Sequence, residues 1–329
     1  MNSKTLESFF PKYSPVILKS IHYLEKKEYD TYYSTYYKYP LLVHEIIDEL
    51  SGKPAIGTEK IDRSEIVDPY SKDSNILSKD QYTLEEYKIL MKYGLSPGHN
   101  TPAGNHMTDR NIWDESFLMT NMTPQEMTFN SGMWVLVEAW SRNLGTNKKI
   151  MNIHCFTGCI PDDEEITTAE NININIPTHW YKIITALDRE NPKILYTLVI
   201  IIRNDKMFVK KMETYPLDKF TVPIHKLEDM CNINFMKIME WYNIYNSQFH
   251  KLSSLKTIMP IIFKAPYSLQ IQMEKCNWFG RIIYSETIAE LEKTWKDIQP
   301  METRFRDLQY HKEYYDHIKK RLIEELANN

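Results

Sequence analysis

The sequence predicts an α+β fold: a central antiparallel sheet flanked by helices, with a helical C-terminal extension. Three observations carry this. β-rich apolar runs bounded by turn signals recur at 150–158, 178–187 and 194–203. Segments with helical spacing and cap residues lie around them, chiefly 83–94 and 129–144. From about residue 245 the chain turns charged and helical, as in TIAELEKTWKDI and HKEYYDHIKKRLIEEL.

In chain order, residues 1–35 read as a charged helical extension running into the tyrosine cluster Tyr29–Tyr37. The run LLVHEIIDEL (41–50) is open between strand and helix, because periodicity alone does not decide. Residues 51–80 are rich in Ser, Asp, Lys and Pro and read as loop. Thr83 and Glu86 form a capping-box pattern, and Gly94 is a helix stop. SPGHNTPAGNHM (96–107) is the most polar and turn-rich segment, and 116–125 is part strand, part loop. Asn130 reads as the cap of a helix over 130–144, with Met133, Val137 and Trp140 on its packing face. Residues 222–235 suggest a short helix and a turn. The chain thus divides into an N-terminal extension (1–35), a central domain (36–244) and a C-terminal extension (245–329).

Composition narrows the classes. A chain of 329 residues, 42% hydrophobic and 26% charged, is ordinary for a globular protein with a sizeable core. The net charge of -4 excludes a broadly basic nucleic-acid binder but leaves room for a local positive cleft. The 22 tyrosines read first as packing with a polar handle. Cys155 and Cys159 lie four apart, but Cys231 and Cys276 form no second pair to complete a zinc set. Buried free thiols in a reducing, intracellular compartment are the reading. No run approaches the roughly 18 apolar residues of a membrane span. The first twenty residues are broken by Lys4, Glu7, Pro11, Lys12 and Pro15 and read neither as a secretory signal nor, lacking Arg, as a mitochondrial presequence.

Cutting a phosphodiester needs a base for water, a cation for developing charge, a hold on the phosphate and an open cleft. His99, after glycine in a polar segment, suits the base. Alone, such a histidine is more often a plain hydrogen-bonding residue. Asn130 offers a hard amide oxygen suited to magnesium, against its reading as a simple cap. Glu138 and Arg142 are four apart, so they share a helix face and can pair; a solvated salt bridge is the bland alternative.

Gly-His-Asn-x-Pro-Ala, then Thr-Asn-Met-Thr-Pro-Gln (120–125), then Asn-x-x-x-Trp-x-x-x-Glu-x-x-x-Arg (130–142) resembles the DNA/RNA non-specific endonuclease family. The run GNHMTDRNIWDESFLMTNMTPQ is most similar to its mitochondrial endonuclease G branch. The similarity extends from roughly 35 to 240, with supporting matches at Phe156-Thr157-Gly158, Ile176-Pro177-Thr178-His179 and Tyr215-Pro216. This resemblance implies a ββα-metal nuclease motif that holds one Mg2+ (or Mn2+). It implies His99 as general base and Asn130 as the sole direct protein ligand of the metal. It implies Asn121 as an asparagine beside the base, Glu138 as the acid orienting metal-bound water, and Arg142 as a residue near the phosphate. It implies 5′-phosphate and 3′-hydroxyl products from DNA and/or RNA and a possible homodimer, while the lack of an apolar span leaves no membrane partner expected.

The match breaks where the family's Asp-Arg-Gly-His reads Ser96-Pro97-Gly98-His99. A second family arginine also lacks a counterpart, Lys38 being the nearest basic residue. Each lost charge-assisted contact is worth roughly 1.5–3 kcal/mol. The expectation is therefore an endonuclease of reduced or altered activity. The alternative is a catalytically silent relative that binds nucleic acid or serves a structural role.

Overall fold

The computed structural model describes residues 1–54, 61, 68–146, 150–162, 164–189, 195–206, 220–244, 252–253, 282, 285, 287–301 and 308–327. The chain divides into two compact units. One comprises 1–125, 138–204 and 216–262; the other comprises 126–137, 205–215 and 263–329.

The first unit is built on a seven-stranded sheet. Its strands are β1 (Ile21–Glu25), β2 (Tyr29–Ser34), β3 (Tyr39–Ile47), β6 (Ile150–Ile160), β9 (His179–Asp188), β10 (Leu195–Arg203) and β11 (Leu252–Ser253), in that spatial order. Neighbours run antiparallel except the parallel pair β10 and β11. The remaining strands, β4 (Leu95–His99) with β5 (Met122–Glu126) and β7 (Glu165–Thr167) with β8 (Asn173–Asn175), form two small sheets. The expected central antiparallel sheet is therefore present, and the ambiguous run at 41–50 is strand over most of its length.

Register decides what the sheet presents. Val43 pairs with Thr157, and Thr157 with Lys182. Side chains alternate between faces along a strand. Glu45, Thr157 and Lys182 therefore share one face, while Leu42, His44, Phe156 and Ile183 share the other. The second face builds the main core, with Phe9, Phe10, Phe235 and Ile238 packed into the same cluster. Those residues come from α1 (Ser3–Phe9) and its C-cap, and from α8 (Phe235–Trp241).

The expected N-terminal helical extension is corrected here. Only α1 and α2 (Pro15–Ser20) are helical, and 21–34 form the first two strands. Alternating Tyr and Thr in YDTYYS favour a half-buried pleated strand over a helix. Phe9, Ile21 and Tyr32 belong to the same core as Leu42, so 1–35 are part of the sheet domain.

Helix α3 (Leu84–Met91) has the expected capping box, with Thr83 and Glu86 bonded reciprocally, and Gly94 follows at φ 78. Helix α4 (Arg110–Glu115) is capped by Asp109, and α7 (Ile224–Cys231) ends on left-handed Asn232. In the second unit, helices Ile288–Ile298 and Gln309–Ala327 enclose a small core of Ile282, Leu291, Tyr315, Ile318 and Leu322. They lie in the expected C-terminal helical region; most of 245–286, with Cys276, lies outside the described residues, as does Tyr215-Pro216. Cys155, Cys159 and Cys231 are buried free thiols. Among the described residues, no helix is long and apolar enough to cross a membrane.

Candidate active site

His99 ends β4. A Cβ on the preceding Gly98 would come within 2.7 Å of Gln125 Cβ, so the strand needs glycine to pack there. The half-buried imidazole meets Phe117 edge-on, ring centroids 4.8 Å apart, with Tyr70 at 6.1 Å. Behind it the backbone is clamped by Asn121, which is fully buried. Asn121 Oδ1 accepts from Thr101 N (3.0 Å), and its Nδ2 donates to Thr101 O (2.9 Å) and Ser116 O (2.7 Å). Asn100 N and Nδ2 both donate to Asn121 O, each at 3.0 Å. Asn121 therefore lies behind the segment that carries His99. Its carboxamide is spent holding the loop that follows His99.

The helix after β5 begins earlier than the sequence suggested. Glu126 accepts from Phe129 N (2.7 Å) and Thr128 Oγ1 (2.5 Å) and is the true cap of the turn α5 (Met127–Phe129). Asn130, expected as the cap, is already helical at φ -54, ψ -56, and opens a π-helical turn, Asn130–Trp134. The run continues as α6 (Val135–Leu144). The Glu126 carboxylate, four residues before Asn130, outcompetes the amide for the free N–H groups, which is why the start moved. π-Turns inside helices are frequent at functional sites. Asn130 is half-buried there, and Met133, Val137 and Trp140 are buried as expected.

Glu138 and Arg142 lie on α6, but the guanidinium is engaged elsewhere. Arg142 Nε donates to Asn105 Oδ1 (2.6 Å), and the side chain lies against Gly52 and Gly104. Asn105 Nδ2 donates to Glu45 Oε2 (2.7 Å), which also accepts from Thr101 Oγ1 (2.7 Å). Glu45 Oε1 meets Lys182 Nζ at 3.2 Å, and Lys182 also donates to Thr157 Oγ1 (2.7 Å). Glu45 and Lys182 are buried, at 1% and 0% exposure. Burial alone would raise the Glu45 pKa. Lys182, His106 and the bonds from Asn105 and Thr101 outweigh it and hold the carboxyl below its ordinary value. Burial pushes Glu138 up to about 7, a rise limited by Lys182 and Arg142 and reinforced by Glu45. His106 extends the network, with Nε2 2.6 Å from Thr101 Oγ1 and Nδ1 2.8 Å from Glu28 Oε2.

Glu45, Asn105 and Lys182 were not singled out in the sequence. The signal was there: a carboxylate and a lysine, each inside an otherwise apolar strand, LLVHEII and WYKIITAL. Charges in such runs are rarely buried unless paired. At the break in the motif, Pro97 is buried in β4 and has no N–H to donate. Lys38 sits in the turn after β2 at φ 59, its ammonium 5.8 Å from the centroid of Tyr82.

No group of three or more His, Cys, Asp or Glu among the described residues is placed to hold a metal ion. The described residues therefore build no such cage. A hard divalent cation that keeps most of its waters does fit, because it needs few protein oxygens and Asn130 offers one at a half-buried position. A histidine on a two-stranded sheet, followed in the chain by a helix carrying Asn, Glu and Arg, defines the ββα-metal class of nuclease. The DNA/RNA non-specific endonuclease family matches residues 13–238, and the chain belongs to that family. Nuclease C1 of Cunninghamella echinulata var. echinulata is 29% identical over 50% of this chain and 65% of its own length. Mitochondrial nuclease EXOG of Homo sapiens is 24% identical over 63% of this chain and 56% of its own. Human mitochondrial endonuclease G is 26% identical over 44% and 48%. The chain thus spans less than two-thirds of these relatives. A crystal structure of an EndoG/EndoGI complex, described as revealing the mechanism of EndoG inhibition, contains a chain of the same fold. Its TM-score is 0.55 at 20% identity, over 76% of this chain and 98% of that one.

Proposed function

We propose that this protein is a sequence-non-specific endonuclease that hydrolyses phosphodiester bonds of DNA and/or RNA with Mg2+ or Mn2+, leaving 5′-phosphate ends. The observation that supports the proposal is His99 at the end of β4, with the loop that follows it clamped by Asn121. His99 takes a proton from water, which attacks phosphorus in line. Arg142 offers its guanidinium to the phosphate oxygens. Glu138, ionised above about pH 7, accepts hydrogen bonds from water at the reacting centre. Asn130 would hold the divalent ion by its amide oxygen; such an ion, when bound, neutralises charge on phosphorus and on the departing 3′ oxygen. With few base contacts, backbone recognition dominates. A homodimer is proposed from the resemblance to endonuclease G, and a reducing, intracellular compartment from the free thiols.

Plasmid nicking with magnesium, with and without EDTA, tests this on the wild type and His99→Ala. Loss of the base lowers the rate by about 10² to 10⁴; a mutant as fast as the wild type removes His99 from the mechanism. A second reading has its own support: Pro97 is buried where the family has arginine, and Lys38 faces Tyr82. In that reading the protein binds nucleic acid without cutting it. Salt-sensitive DNA binding with no cleavage under any divalent metal selects it.

A further inference from the structure

We infer that Asn105 is the positioning residue for Arg142, and that the buried Lys182–Glu45 pair sets Asn105. The inference deepens the nuclease reading and rests on it, since it takes Arg142 as the phosphate-side group.

The geometry is a relay of three charge-bearing contacts. Lys182, itself held by Thr157, fixes Glu45 from the sheet. Glu45 accepts from the Asn105 amide nitrogen at 2.7 Å, and the Asn105 carbonyl oxygen accepts from Arg142 Nε at 2.6 Å. A carboxamide between a carboxylate and a guanidinium has one satisfactory orientation, nitrogen to the acid and oxygen to the base. The acid therefore dictates where the acceptor for Arg142 stands. The backbone of Asn105 is tied as well: its carbonyl accepts from Gly52 N at 2.9 Å, and its N–H donates to Pro102 O at 2.9 Å.

What the relay leaves open is the useful edge of the arginine. Only Nε is taken by Asn105; among the described residues, the two terminal nitrogens make no further hydrogen bond. Those two nitrogens form the fork that meets two phosphate oxygens at once. The stem lies against two glycines. A Cβ at Gly52, where φ is 81, would come within 2.6 Å of Arg142 Cδ, and one at Gly104 within 2.7 Å of Nη2. The side chain therefore has a defined seat, and Asn105 is its one protein hydrogen-bond partner among the described residues. In a chain that lacks the motif arginine, keeping the remaining one oriented matters more.

The test is a double-mutant cycle with Asn105→Ala, Arg142→Ala and both together. It is read as kcat/KM for cleavage of a plain DNA duplex with magnesium, with melting temperatures alongside. Asn105→Ala is expected to lower kcat/KM by about 10- to 100-fold, the scale of a misplaced catalytic contact. In the Arg142→Ala background the same change is expected to cost nothing further, because Asn105 acts through the arginine. Losses that multiply, or an Arg142→Ala protein as active as the wild type, overturn the inference. If Asn105→Ala does not fold, Asn105→Ser takes its place with the same expectation. If the wild type binds the duplex without cutting, the cycle is read in Kd, and additive costs again overturn it. A wild type that neither cuts nor binds brings down the nuclease reading and this inference together; multiplicative losses in an active wild type bring down this inference alone.

Discussion

Glu138 shows how one side chain's surroundings set its chemistry. Its folded pKa of about 7 lies above the ordinary carboxylate value of 4.5, with burial as the main cause. Between those two values the unfolded chain binds fewer protons than the folded one, so the stability Glu138 contributes is present at low pH and lost as pH rises through 7. Glu138→Gln should therefore gain stability over the wild type above pH 7, by an amount on the order of 1–3 kcal/mol. The same variant should lose the rising limb of the cleavage–pH profile near 7. Urea unfolding at pH 5 and pH 8, with initial rates across that range, checks both; equal stability differences at the two pH values would refute the burial argument. His99, Asn121, Asn130, Glu138 and Arg142 stand out in the sequence as candidates because their spacing resembles a family motif. Asn105 was not, because nothing in its neighbours announces that its amide links an acid to a base across 60 and 37 positions of chain.

At the level of elements, sequence pattern found the strands and several helix ends, and it failed where a contact from outside decided. The capping box at Thr83 and Glu86 is local, and it was readable. The start of the helix after β5 was not, since Asn130 reads as a natural cap and the capping role of Glu126, the last residue of β5, shows only in the structure. The tyrosine-rich segment before residue 35 reads as part of a helical extension in sequence because its pairing partner β3 lies further along the chain. Glu45 and Lys182 pin β3 to β9 across the intervening β6, an arrangement that only the register reveals. Lys182→Met should cost about 3–5 kcal/mol, because it leaves a buried carboxylate without its cation. Chemical denaturation measures it, and a cost under about 1 kcal/mol, typical of exposed pairs, would mean that water reaches the pair.

For the whole molecule, an overall charge of -4 must coexist with the polyanionic substrate proposed above. Attraction then depends on a few cations in one place, of which Arg142 is the one proposed. Each missing phosphate contact lowers the salt slope of binding by about 1. Duplex binding should therefore weaken with salt less steeply, by about two, than for a relative that keeps both motif arginines. Titrations of fluorescent DNA between 50 and 200 mM salt, conditions of the kind used for such slopes, measure this; equal slopes would place compensating cations elsewhere on the surface. The chain's sign and composition were plain from the start, but where its positive charge faces was not.

The seat of the arginine stem also supplies a wedge. Its Nη2 is the first atom that a methyl group on Gly104 would strike, and it is the loose tip of a long side chain. Gly104→Ala should push the fork aside while leaving every partner in the interior untouched. Melting should hold while turnover falls, a dimmer for the reaction installed one atom away from it.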